Sequence, residues 1–178
     1  MAHRLVVMRH AKSQWPDGVA DHDRPLEERG VRDAKAAGEW LRDHVGTPDH
    51  VIVSTARRAR GTWTLAAGPL GYIGAAGYET ESPGALTIDP RVYDASLPTL
   101  FDVLREIPER VGTTILVGHN PGSEDLVSTL ASNDDSDPAR LAASKYPTCG
   151  IAVLTFTVPW SELTPKSAEL IAFAVPRG

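Results

Sequence analysis

Two histidines and three arginines stand in this sequence where chemistry on an anion can be done. Arg9 and His10 follow the apolar run LVVM at 5–8, Arg57 and Arg58 follow VIVS at 51–54, and His119 closes the run TILVGH at 114–119. A guanidinium presents a planar fork of donors that matches phosphate oxygens two at a time. An imidazole titrates near neutrality, so it serves as a neutral nucleophile in one role and a cationic donor in another. Taken singly, Arg-His after a strand reads as a surface pair, and GHNPG as an ordinary strand-to-helix turn. Their recurrence at successive strand ends points instead to one shared site, and phosphoryl transfer is the chemistry that uses both residue types.

The elements that must position these groups follow from periodicity. Five short apolar, β-branched runs read as strands, at 5–8, 51–54, 114–119, 151–156 and 171–175. In PLEERGVRDAKAAGEWLRDHV, the residues Val31, Ala34, Gly38, Leu41 and Val45 line one helical face, and Gly46 and Pro48 act as stop signals. In SLPTLFDVLREIP, Leu100, Val103, Leu104 and Ile107 share a face, with Ser96 as N-cap and Pro98 in the first turn. Leu126, Val127 and Leu130 carry a third helix after VGHNPG. Strands alternating with helices predict an α/β fold, because parallel neighbours need a crossover helix. The expected architecture is a three-layer sandwich, a mostly parallel central sheet flanked by helices, with the last two runs as an antiparallel hairpin at the edge. The Gly- and Pro-rich stretch 68–90 reads as a long loop, and SNDDSDPAR as an acidic surface loop. In such a sheet, ligands bind at the carboxyl ends of the strands, where Arg9, His10, Arg58 and His119 converge.

Composition narrows the partners. The 178 residues fit one domain, 1–178, and 42% hydrophobic content is ordinary for a globular chain. A formal net charge of −5 gives no long-range pull on nucleic acid or an anionic membrane, so an anion must be drawn in by local positive groups. The brief apolar run in MAHRLVVMRH is too short for a signal-peptide core or a membrane span, which predicts a cytoplasmic enzyme. A monomer is compatible with the absence of an evident exposed apolar helix face. The single cysteine, Cys149, reads as a small core residue rather than a nucleophile.

RHAKS at 9–13, STARRARGT at 54–62 and VGHNPG at 117–122 resemble the histidine phosphatase superfamily, also called phosphoglycerate mutase-like. That family carries an RHG signature, a Ser-x-x-x-Arg-Ala-x-x-Thr segment and a second catalytic histidine, and its motifs span about residues 5–130 here. RHA in place of RHG, DRPLEERG at 23–30 and the GHNPG turn look most like the SixA-type phosphohistidine phosphatases. The resemblance implies that His10 accepts the phosphoryl group, with Arg9, Arg58 and His119 holding the phosphate oxygens. Arg57, one place off the motif, is the second choice for the arginine. Water would then hydrolyse the phosphohistidine, with no cofactor and no metal.

The general acid is where the sequence departs from the family. Mutases and many phosphatases use a Glu after the second strand, and the acid-phosphatase branch uses an Asp directly after its second histidine; here that position is Asn120, and the nearest match to the Glu is Asp94 in VYDAS. Asp94 reads equally as a loop residue near the start of a helix. A weak acid favours phosphohistidine, whose imidazole leaving group protonates near neutral pH, over an alkoxide that needs a delivered proton. The expected substrate is thus a phosphorylated protein or a small phosphate. The alternatives are a phosphomonoesterase of nucleotide or sugar phosphates, or a phosphate- or phosphopeptide-binding module without turnover. Ser13 and Lys12 lie one turn beyond His10, where they could touch the anion, though Lys12 reads rather as a solvated loop residue; Asp21, Asp23 and Arg24 read mostly as loop structure, with Arg24 also a rim contact, and Trp15 at the mouth reads equally as shaping access or anchoring its own loop. His3, His22, His44 and His50 show no metal-ligand spacing and read as solvated.

Overall fold

Alternation along β1 (His3–Arg9) divides the interior in two: Leu5 and Val7 enter one core, Val6 and Met8 the other. The same division holds in β4 (Thr113–Gly118), where Leu116 opposes Ile115 and Val117, and in β5 (Ile151–Phe156), where Leu154 opposes Val153. A sheet buried on both faces is what near-continuous apolar strands imply. The computed structural model describes residues 2–71, 85–133 and 135–177.

The remaining strands are β2 (His50–Ser54), β3 (Ala85–Asp89) and β6 (Glu169–Ala174), and the sheet order is β3-β2-β4-β1-β5-β6. The first four strands of that order are mutually parallel; β5 runs antiparallel to β1, and β6 antiparallel to β5. Helices α1 (Glu28–His44) and α2 (Arg57–Leu70) cover one face. Helices α3 (Leu97–Arg105), α4 (Gly122–Leu130) and α5 (Asp137–Ser144) cover the other. This is the expected α/β sandwich, with the hairpin at the sheet edge. Each fully buried Leu or Ile of the two cores contributes roughly 1.5–3 kcal/mol.

Local chemistry sets the element ends. The Ser96 side chain accepts from the Thr99 amide at the start of α3, with Pro98 in its first turn. Helices α1 and α2 approach so closely that a Cβ on Gly38 would strike the Ala66 carbonyl, and one on Gly30 would strike the backbone of Lys12. Glycine is required at both positions by contact rather than by dihedral freedom.

Several expectations are corrected. The stretch 68–90 is not loop throughout: residues 68–70 end α2 and residues 85–89 form β3, which pairs with β2. The rest of that reading, residues 72–84, lies outside the described residues. Helix α2 buries a stripe of Ala59, Thr62, Trp63, Ala66, Ala67 and Leu70 that its two glycines and Pro69 disguise. Part of the acidic segment 132–140 belongs to α5, which Ser136 caps. His3 is buried, not solvated, with Nδ1 at 3.1 Å from the Val111 carbonyl and Nε2 at 2.7 Å from Glu109. His22 and His50 are half-buried, and His44 is exposed.

Candidate active site

Register brings the two motif histidines together. Arg9 of β1 pairs with Gly118 of β4, and the His10 amide donates to the Gly118 carbonyl at 3.0 Å. The residues that follow, His10 and His119, therefore leave adjacent strand ends, and their rings stand with centroids 5.0 Å apart. On the other side of β4, Val53 pairs with Val117, which sets Ser54 beside the turn; the Ser54 hydroxyl lies 2.8 Å from His119 Nε2.

His10 is held as one tautomer. Its Nδ1 lies 2.8 Å from the Ala11 carbonyl, which only accepts, so Nδ1 carries the proton and Nε2 a lone pair. The Arg58 Nε–H donates to that lone pair across 3.3 Å. Burial pushes the His10 imidazolium down to about 3, and His119, Arg58 and Arg9 push the same way, so the ring is neutral at pH 7. For His119, burial and then Arg58 lower the value to about 4. A neutral, oriented imidazole surrounded by cations has the form that nucleophilic attack on an anion requires.

The motif positions divide the remaining work. Arg58 is buried and turns toward His10, whereas Arg57 is exposed. Thr62 accepts from the Ala11 amide at 2.9 Å and donates to the Arg58 carbonyl at 2.7 Å, tying the loop after His10 to the helix that carries Arg58. Arg9 donates through Nη1 to the Tyr146 carbonyl, and burial lowers its pKa. Its Nε and the Nδ1 of His119 are buried and unpartnered among the described residues. The Arg9 Nε–H, a buried donor left so on a cation, is what an anion's oxygen would satisfy.

Asp94 is not brought into hydrogen-bond contact with this group. It is exposed, at φ 51°, and lines a small cavity beside His119 and Asn120; its carboxylate has no hydrogen-bond or ion-pair partner among the described residues. Asn120 instead donates to Glu124 and to the Tyr146 carbonyl. The carboxylate that does reach the site is Asp21, read from sequence as loop structure. Arg58 donates to its carbonyl at 2.6 Å and to Oδ2 at 3.0 Å; Arg24 donates to Oδ1 and the Tyr93 hydroxyl to Oδ2. Those bonds, that of Arg24 first, hold the Asp21 carboxyl well below the usual carboxylate range. The sequence signal was present in DHDRPL, where Asp21 lies three residues before Arg24, but the second partner, Arg58, is 37 residues away.

Other readings resolve similarly. Arg24 is buried, donates to the Gln14 carbonyl and the Ser13 hydroxyl, and stacks at 3.2 Å on exposed Trp15, so both residues shape the loop at the mouth. Lys12 is exposed. Tyr93, unremarked in the sequence, packs edge-on against both His119 and His22 and forms a wall. Burial pushes the Cys149 thiol up to about 12, which keeps it an inert thiol. Among the described residues no cluster of three or more His, Cys, Asp or Glu is placed to hold a metal ion, and no helix is long and apolar enough to cross a membrane.

The arrangement is that of a phosphohydrolase, and comparison with known proteins gives the family. Residues 5–79 match the model of the histidine phosphatase superfamily, branch 1. An uncharacterised protein of Mycobacterium tuberculosis is 40% identical over 172 residues, covering 96% of this chain and all of that one. A SixA structure from Nakamurella multipartitia superposes with a TM-score of 0.83 at 28% identity, covering 100% of this chain and 98% of the other. A second SixA structure, from Agrobacterium tumefaciens, gives 0.74 at 27%, covering 97% of each chain. The chain belongs to the histidine phosphatase superfamily, on its SixA-like branch. It is a phosphatase by that membership.

Proposed function

We propose that this phosphatase works through a phosphoryl group carried on His10 Nε2 and that its substrate is phosphohistidine in a protein. The observation that carries the reading is the His10 tautomer: Nδ1 is fixed on the Ala11 carbonyl, and Nε2 faces Arg58. An incoming phosphate would take the Arg58 Nε–H onto one of its oxygens and free the lone pair. Arg9, Arg58 and His119 then hold the oxygens, and Arg58 and Arg9 offset the charge that grows in the transition state. Breaking the P–N bond leaves phospho-His10, which water hydrolyses. The positive charge for the reaction comes from arginine, and the reading is metal-independent.

The acid inventory supports phosphohistidine. Asp21, the carboxylate at the site, is held ionised and has no proton to give at neutral pH. An imidazole leaving group protonates from solvent, whereas an alkoxide does not. The SixA relatives carry phosphohistidine phosphatase in their names, in line with this choice. One observation favours the second reading, a phosphomonoesterase of nucleotide or sugar phosphates: the Asp94 carboxylate lines the cavity that His119 also lines.

Rates with EDTA present on a phosphohistidine peptide and on an alkyl phosphomonoester separate the two. A kcat/KM at least about a hundredfold higher on the peptide, unchanged in Asp94→Asn, is expected. Comparable rates, with the ester rate lost in Asp94→Asn, would establish the ester reading, and bound phosphate without turnover of either would establish a binding module.

A further inference from the structure

A second cleft opens at the same end of the sheet as His10, between the start of α1 and the end of α5 and beside the last residues of β6. Its volume is about 550 Å³, within the range of built ligand sites. Phe173, Val175 and Leu141, the last 56% exposed, give it apolar surface. Around them stand Arg29, Lys145 and Arg177.

The cations are arranged, not scattered. Asp33, buried at the base, takes Arg29 Nε on one oxygen at 3.3 Å and Arg177 Nε on the other at 3.2 Å. Each guanidinium is fixed by its inner edge, and its two Nη groups have no partner among the described residues. Three cations against one carboxylate leave two positive charges in excess, on a chain whose net charge is −5. Local charge of the opposite sign to the whole molecule serves to attract an anionic partner.

The cleft is joined to the catalytic group through its floor. Cys149 lines it, and the Cys149 amide donates to the carbonyls of Arg9 and His10 at 3.1 and 3.2 Å. Three residues earlier, the Tyr146 carbonyl accepts from Arg9 and Asn120. The floor of the cleft is therefore bonded directly to the backbone of the strand end that carries His10.

We propose that this cleft docks a segment of the phosphorylated protein substrate that carries both acidic and apolar side chains, beside the residue being dephosphorylated. The acidic groups meet the free edges of Arg29 and Arg177 and the Lys145 ammonium, and the apolar ones pack on Phe173 and Leu141. This rests on the phosphohistidine reading above and names the kind of protein that reading requires.

The test uses the full chain and two phosphohistidine peptides, one flanked by Glu and Leu, the other by Ser and Gly. The first is expected to give a kcat/KM about tenfold higher through KM, and Lys145→Ala with Arg177→Ala removes that preference while p-nitrophenyl phosphate turnover stays within about twofold. Leu141→Ser serves as a second, milder variant with the same expected direction. Fluorescence anisotropy of the unphosphorylated acidic peptide reads docking without catalysis, so it reports even if phosphohistidine is not the substrate. Equal KM for the two peptides, equal losses on peptide and p-nitrophenyl phosphate, or binding of a small aryl carboxylate with none of the acidic peptide would each overturn the proposal.

Discussion

In the proposed mechanism, the protonation of His10 decides whether a nucleophile exists. With its pKa pushed to about 3 and that of His119 to about 4, both rings stay neutral well below the ordinary 6.5. Once the substrate's own titration is divided out, kcat/KM should hold level as the pH falls through 6.5 and decline only on approach to 4; a limb at 6.5 would contradict the burial of the nucleophile. In the same mechanism Asp21 acts one step removed, through the two bonds by which it holds Arg58. Asp21→Asn keeps hydrogen-bonding capacity but removes a negative charge beside the anion. Steady-state kinetics should show kcat reduced roughly tenfold or more, with inorganic phosphate bound more tightly. An unchanged kcat would reduce Asp21 to a loop fastener. His10, Arg9, Arg58 and His119 were legible in the sequence because each sits at or just beyond a strand end. Asp21 was not, since its partners Arg58 and Tyr93 meet it only in the folded chain.

At the level of elements, the site depends on how tightly the helices sit. Loop residues 10–13 are clamped between Thr62 of α2 and Gly30 of α1, and α1 lies against α2 at Gly38. Gly38→Ala should destabilise the protein by about 1–3 kcal/mol, read as a melting temperature lower by roughly 2–4 °C for each kcal/mol. Gly68→Ala, where a Cβ would meet open space, should not lower it. Helices α1, α3 and α4 were legible from apolar spacing. Helix α2 was not, because its buried stripe consists largely of alanine, and β3 was not, because ALTID is short and follows a Gly- and Pro-rich stretch. The burial of His3 also escaped, because Glu109 and Trp160, which enclose it, come from distant parts of the chain.

For the whole molecule, the price of the two neutral histidines is a pH-dependent stability. Unfolded imidazoles take up protons near 6.5 and the folded ones near 3 and 4, so between those values the unfolded chain binds more protons. Stability is therefore full above about 6.5 and falls as the pH drops toward 4. The urea midpoint should be lower at pH 5 than at pH 7.5, and His119→Asn should make the difference smaller; a midpoint independent of pH would mean the histidines are solvated when folded. Saturating inorganic phosphate should raise the melting temperature by binding only the folded state, and Arg58→Ala should abolish that rise.

What sets this mechanism apart is a covalent intermediate on His10. Enzyme mixed with a phosphohistidine peptide, quenched in alkali and read by intact mass, should show one phosphoryl group that acid removes. The group should map to His10 and be absent in His10→Ala together with turnover. Turnover that survives in His10→Ala, or a phosphoryl group on another residue, would contradict the account.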